Sequence, residues 1–329
     1  MTETDDIRAR VTAFLRDELA SDTLTIVDVE RIGVGRSREN WIFDLELDGT
    51  REPLILRRDP DGGLVDTDRG TEFAVLRALE RSAVPAPVPR WLDASGAALG
   101  RPSLVMRRAS GTCDYRVVNG DRPLADRVRL AEQFCDLLAQ VHDVDWAAVG
   151  LGEVLTDPGP QAARAELAKW EAVLREDQLE AYPELDLAID RFRATAPPST
   201  GTVLVHADFK PGNMLLDGDD VVALLDWELA HLGDPLEDLG WVTQPLRTKE
   251  HLIDGAWSAA DLVHRYAERT GRAVDPAALA WWSAFSTFKT AVMQVSGLRA
   301  FLEGRSDEPY RPNRRVLSTL LRTLPEGRG

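Results

Sequence analysis

The sequence predicts an α+β chain in two parts, a small β-rich unit followed by a larger, mainly helical one. Three observations carry this. The length of 329 residues exceeds what a single compact core usually organises. Trp41, Phe43, Leu45 and Leu47 recur at the period of a strand with one buried face. Beyond about residue 108, apolar residues recur at helical spacing instead. The two parts are therefore set at residues 1–108 and 109–329.

The elements follow in order. Ile7, Val11, Phe14, Leu15 and Leu19 form a helical stripe. LTIVDVERIGVGRSRENWIFDLELDG reads as two strands joined by a glycine-bearing turn, and Asp48-Gly49 signals a hairpin into PLILRR. Helical spacing returns over residues 67–81, with Phe73, Leu76 and Leu79 on one side. The prolines of VPAPVPRWL predict an extended connection, and RPSLVMRR another short strand. Helical stripes then run through Leu130, Phe134, Leu137, Leu138 and Val141, and through Leu167, Trp170 and Leu174. Later ones run through Trp281, Phe285, Phe288 and Val292, and through Val316, Leu320 and Leu324. Three short strands, TVLV, MLL and VVALLD, interrupt the helices.

Composition sets limits. A charged content of 29% with 44% hydrophobic residues describes a folded globular chain. The formal net charge of −16 repels phosphate backbones, so no nucleic-acid partner is expected. Cys113 and Cys135 form no CxxC pair, which argues against zinc and redox motifs; two buried thiols are the expectation. No apolar run approaches the roughly 18 residues of a membrane span. The start MTETDDIRAR lacks an apolar leader core, so a cytoplasmic protein without membrane contact is expected.

The chemistry concentrates in LVHADFKPGNMLLDGDDVVALLDWELAHLGDP. His206, Asp208, Lys210 and Asn213 fall between two predicted strands, a rigid platform for polar groups. Asp208, acceptor-only when ionised, suits taking or orienting a hydroxyl proton. Asn213 and Asp226 offer hard oxygen donors from separate strand ends, which suits Mg2+. Lys210 could neutralise charge on a moving phosphoryl group, or remain solvated. Asp217, Asp219 and Asp220 read as plain turn residues. The order Asp…Asn…Asp is that of a kinase catalytic loop followed by a metal-binding Asp, and HADFKPGN is close to H-R-D-x-x-x-x-N.

VHADFKPGNMLL and LLDWELAHLGDPLEDLGW resemble the aminoglycoside phosphotransferase and choline kinase superfamily of small-molecule kinases, with Asp226-Trp227-Glu228 in place of Asp-Phe-Gly. The segment LLAQVHDVDWAAVGL is similar to a branch that includes the kinase-like part of some acyl-CoA dehydrogenase fusions. The resemblance implies a two-lobed, protein-kinase-like fold that binds ATP and Mg2+. It implies Asp208 as catalytic base or hydroxyl-orienting group, Asn213 and Asp226 as metal ligands, and His206 as a brace. Glu228 would touch the second metal shell or pack the turn, and Lys210 would reach the γ-phosphate. In the first lobe, RIGVGRSREN would cover the phosphates with Gly33, Gly35 and Ser37. SLVMRRASG would be the hinge, its backbone from Met106 to Arg108 meeting adenine. The family's strand Lys is replaced here by Arg57, with Glu72 as its helix partner. Arg keeps the charge but not the shape of Lys. Arg58 is a rival for the phosphate contact, since adjacent strand residues face opposite ways.

Two acceptor classes compete. Aminoglycosides or amino alcohols would need a carboxylate-lined pocket. A hydroxy acid or its CoA thioester would need a basic one, for which Arg299, Arg305, Arg311, Arg314 and Arg315 are candidates. Trp241, Trp281 and Trp282 read as core. The rival reading is an inactive nucleotide-binding pseudokinase. A protein substrate fits poorly, because Pro235 closely follows Asp226 and no Ala-Pro-Glu appears.

Overall fold

The computed structural model describes residues 2–32, 39–59, 69–306 and 309–326. The first helix, α1 (Glu3–Leu19), opens with a reciprocal cap in which Thr2 and Asp5 each accept the other's backbone N–H. Its buried stripe, Ile7, Val11, Phe14 and Leu15, packs against an antiparallel sheet. That sheet comprises β1 (Thr25–Ile32), β2 (Glu39–Leu47), β3 (Thr50–Arg58), β4 (Pro89–Asp93) and β5 (Ser103–Arg107), in the order β1-β2-β3-β5-β4. Asp48 and Gly49 join β2 to β3 with φ of 50° and 74°, the two positive values that a primed hairpin turn requires.

The sheet is covered on both faces, and the alternation along its strands shows how. Trp41, Phe43, Leu54, Leu56 and Val105 share a cluster with α1. Leu104 and Met106, on the opposite face of β5, join α2 (Arg69–Leu79) and the helical part of the chain. The third predicted strand and the helix after it therefore lie where the periodicity placed them.

The rest of the chain is mainly helical. It contains α3 (Leu124–His142), α4 (Ala162–Asp177) and α5 (Pro183–Thr195). The short strands β6 (Val203–Val205), β7 (Met214–Asp217), β8 (Asp220–Leu224) and β9 (His231–Gly233) follow. The chain closes with α6 (Pro235–Thr243), α7 (Thr248–His251), α8 (Ala259–Thr270), α9 (Pro276–Leu302) and α10 (Arg314–Thr323). Helix α9 is the hub, packing on α4, α5, α6 and α10. Its contact with α6 is backbone-close. A Cβ on Gly240 would stand 2.5 Å from the Trp282 carbonyl carbon, so no larger residue fits there without displacing a helix. Trp241, Trp281 and Trp282 are all buried in this core, and Trp281 stacks on Phe285 at 14°. Among the described residues, no helix is long and apolar enough to cross a membrane.

Two strands have no counterpart in the sequence expectations, and one expectation needs correction. The VPAPVPRWL connection is not extended coil throughout, since Pro89–Asp93 forms β4. Proline is tolerated there because it begins the outermost strand. Strand β9 has three residues, too few for any period to announce it. Cys113 is exposed and only Cys135 is buried, with both thiols free.

Candidate active site

Strand β6 pairs with β9, and β7 pairs with β8. These two small ribbons hold the loop between Val205 and Met214 at both ends. His206 is fully buried and braces the loop from inside. Its Nδ1 accepts the Asp208 N–H at 3.2 Å, which puts the ring proton on Nε2, and Nε2 donates to the Leu225 carbonyl at 2.9 Å. Burial holds the ring below its usual pKa, in keeping with a neutral brace.

Leu225 ties the second half of the site to the first. Its N–H donates to the Asn213 carbonyl at 2.7 Å, and Asp226 follows directly. Asp226 has φ 63° and ψ 59°, a left-handed conformation that a non-glycine residue enters at a cost of about 1–3 kcal/mol. Ala207, beside Asp208, is held in the same region with φ 67°.

The carboxylate of Asp208 is gripped from two sides. Lys210 Nζ lies 2.6 Å from its Oδ2, and Asn213 Nδ2 donates to the same oxygen at 3.0 Å and to the Asp208 carbonyl at 3.0 Å. Lys210 is thus an ion-pair partner of Asp208. Because the nitrogen of the buried Asn213 amide is committed to Asp208, its carbonyl oxygen Oδ1 is the group left to offer a cation. That oxygen and the Asp226 carboxylate, on residues tied through the Leu225–Asn213 backbone hydrogen bond, are hard oxygen donors of the kind Mg2+ takes. Glu228 is half-buried on the turn after Asp226.

The first-lobe candidates resolve unequally. Arg57 Nη2 reaches Asp226 Oδ1 at 2.5 Å, and Nη1 reaches Glu72 Oε1 at 3.4 Å. Burial alone would depress this guanidinium, but Asp226 and Glu72 hold its pKa above the usual value. Arg58 points to the other face and pairs with Glu39 at 3.2 Å. Glu72 is also held by the buried Arg69. Met106 is buried in β5. The amides of Arg107 and Arg108 donate within the sheet, to Val88 and Pro53 at 2.9 and 3.0 Å, and the Arg108 side chain pairs with Asp44 at 3.0 Å. A hinge contact to adenine is thereby left to carbonyls or to the amides that follow. Gly33, Gly35 and Ser37 lie outside the described residues. Arg299, Arg305 and Arg311 pair with nearby Glu303, Asp177 and Glu180, so this basic run is largely neutralised in place.

A buried charged layer beneath the loop is absent from the sequence expectations. Asp238, fully buried on α6, accepts the N–H groups of His206 (2.8 Å) and Ala207 (2.9 Å) and lies 3.2 Å from His142 Nε2. His142 in turn meets Tyr266 at 2.7 Å. Burial would raise the Asp238 pKa, but His142 and His206 hold it below the usual range. Beside it, His231 Nε2 sits 3.0 Å from Glu237 and 3.5 Å from Glu166. Burial would deprotonate this imidazole, yet the two carboxylates lift it to about 9. Glu166, which burial would raise, is lowered to about 2 by His231, Lys169 and Lys289. The three side chains are close enough to ligate a metal. However, His231 already pairs with both carboxylates, and Lys169 stands 3.4 Å from Glu166 and Lys289 3.5 Å from Glu237. None of these side chains is given a role by the sequence, although His142 lies in LLAQVHDVDWAAVGL and His231, Glu237 and Asp238 lie in LLDWELAHLGDPLEDLGW.

Comparison with known proteins agrees with this geometry. Residues 28–282 match the profile of the phosphotransferase enzyme family. The chain is 26% identical to acyl-CoA dehydrogenase family member 11 of Rattus norvegicus over 326 residues, covering 92% of this chain and 40% of that protein. It is 28% identical to acyl-CoA dehydrogenase family member 10 of Mus musculus over 194 residues, covering 57% and 18%. The chain thus spans less than half the length of these curated relatives. Among solved structures it is similar to a Ralstonia eutropha protein provisionally described as an aminoglycoside phosphotransferase. That match has a TM-score of 0.76 and 22% identity, and covers 98% of this chain and 99% of that one. The streptomycin–ATP–APH(2″)-IIa ternary complex matches with a TM-score of 0.60 at 14% identity, over 87% and 89%. These structural likenesses establish a shared two-lobed, kinase-like fold. With the family profile matched over most of its length, and the site lying inside that span, the chain belongs to the phosphotransferase enzyme family.

Proposed function

We propose that the protein transfers the γ-phosphate of ATP to a hydroxyl of a small acceptor. Residues 1–108 hold the nucleotide, and residues 109–329 supply catalysis and the acceptor pocket. The observation that carries the reading is the Asp208 carboxylate, fixed by Lys210 and Asn213 beside the Asn213–Leu225 tie that delivers Asp226.

In this reading Asp208 orients the acceptor hydroxyl and takes its proton. The hydroxyl oxygen bonds to the γ-phosphorus as the bond from that phosphorus to the bridging oxygen breaks, and ADP leaves. Asn213 and Asp226 would hold Mg2+, which when bound offsets charge on the phosphate oxygens. Lys210 adds a fixed positive charge beside the transferred group. Arg57, held by Glu72, is the first-lobe cation aimed at the phosphates, and its contact with Asp226 gives way when nucleotide and metal enter. Gly33, Gly35 and Ser37 cover the phosphates, and the chain around Met106 and Arg108 meets adenine. Retention of Asp208, Asn213 and Asp226 together weighs against a pseudokinase.

The acyl-CoA dehydrogenase relatives favour a hydroxy acid or its CoA thioester as acceptor. The drug-bound structural neighbour favours an aminoglycoside or amino alcohol. Transfer from γ-labelled ATP with Mg2+ to panels of both classes separates them. Label in one panel names the acceptor class. ATP binding without label in either favours the pseudokinase, and absence of ATP binding contradicts the reading.

A further inference from the structure

We propose that Lys289, on α9, is a positioning residue for Asp208. It would act through the carbonyl of Ala207 and hold that residue in the left-handed conformation that aims the catalytic carboxylate. The inference rests on the reading of Asp208 as the hydroxyl-orienting group.

Lys289 is buried, yet its ammonium is not placed as a simple ion pair. Nζ donates to the Ala207 carbonyl at 2.9 Å, whereas its nearest carboxylate oxygen, on Glu237, stands at 3.5 Å. The shorter contact is to the backbone. The indole faces of Trp170 and Trp241 flank the ammonium, each with its centroid 5.2 Å away, so the charge is stabilised where water is excluded.

The target of that contact is specific. Ala207 sits at φ 67°, a region that side chains disfavour, immediately before Asp208. Its N–H is held by the Asp238 carboxylate at 2.9 Å and its C=O by the Lys289 ammonium at 2.9 Å. Two buried charges of opposite sign therefore grip the two ends of one strained residue, each matched to the polarity it meets. Without the ammonium, the carbonyl would be a buried acceptor without its charged donor. The Ala207–Asp208 peptide could then rotate out of the left-handed region and carry the carboxylate with it. Helix α9 can deliver Lys289 because Gly240 lets α6 and α9 approach at backbone contact.

The test compares K289M and K289R with wild type in Mg2+–ATP turnover, alone and in an A207G background. It uses whichever acceptor the panels identify, or water as acceptor in ATP hydrolysis. K289M is expected to lower kcat roughly 10–100-fold with KM for ATP nearly unchanged, and K289R to recover most of the loss. In the A207G background glycine adopts the left-handed conformation freely, so the same K289M change is expected to cost only a few-fold. Crystals of K289M should show Ala207 outside the left-handed region. Wild-type kcat in K289M, an equal loss in both backgrounds, or an unmoved Ala207 overturns the proposal. If K289M does not fold, K289M/E237Q removes the ammonium and its carboxylate together, and the same outcomes apply. If the wild-type protein turns over neither acceptor nor water, the functional reading fails, while the crystallographic arm still decides this one.

Discussion

The rim of the site and the layer beneath it use charge in opposite ways. Asp208, Lys210, Asn213 and Asp226 all fall between residues 208 and 226, and Asp226 is about one-third exposed. The layer below draws on His142, Glu166, His231, Glu237, Asp238 and Lys289, from several elements spread between residues 142 and 289. In the rim, Asp208, Lys210 and Asp226 keep part of their side chains exposed, where a substrate could compete for them. In the layer, every charge named has a buried partner, and for Asp238 and Lys289 the closest partners are backbone groups of the loop. The difference teaches that the chemistry of this fold is local while its rigidity is not. The short loop keeps its shape because side chains of distant helices hold its peptides.

Mutations that break this contrast should fall in order. Asp238→Ala removes the shared acceptor of two loop amides and of His142. It should cost roughly 3–5 kcal/mol of stability, the usual penalty for breaking a buried charged pair, read from denaturant unfolding. An effect below about 1 kcal/mol would mean the layer is not structural. Asp226→Asn, in the rim, leaves the buried Arg57 with Glu72 as its partner and should cost less stability than Asp238→Ala. It should raise the Mg2+ concentration for half-maximal turnover roughly tenfold, about 1.4 kcal/mol. An unaltered Mg2+ titration would remove Asp226 from the metal site.

The layer also predicts a pH dependence. His231 is raised to about 9 in the folded protein against 6.5 for the free group. Its stabilising charge is therefore fully present below about pH 6.5 and is lost as pH rises through about 9. The wild-type melting temperature should decline across that window, and His231→Gln should flatten the decline; equal slopes would place the effect elsewhere. The smallest effect belongs to Asp219, a turn residue paired with Arg122 and Arg129 at the surface. Asp219→Ala should leave both the unfolding midpoint and turnover unchanged. A loss of turnover would extend the rim to the β7–β8 turn.

These two regions also differ in what the sequence revealed. Strand and helix periods announced most of the fold, because Trp41, Phe43 and Leu45, or Leu130, Phe134 and Leu138, bury one face at a fixed spacing. The rim was legible as a motif because Asp208, Lys210, Asn213 and Asp226 fall in one short stretch, and their order survives as written text. Period-2 reasoning also foresaw that only one of Arg57 and Arg58 could face the cleft. The charged layer was hidden, since Lys289 reads as one polar residue among several on its helix and meets Ala207 only after folding. Strand β9 was hidden because three residues carry no period. The exposure of Cys113 was hidden because a lone thiol has no pattern to read.

The measurement that bears most directly on the central claim is phosphate transfer by Asp208→Ala beside wild type, with ATP affinity measured on both. The account predicts that ATP binds both proteins alike while transfer by the variant falls by on the order of 10²–10⁴-fold. Transfer at the wild-type rate would contradict the role of Asp208 and, with it, the site built around that residue.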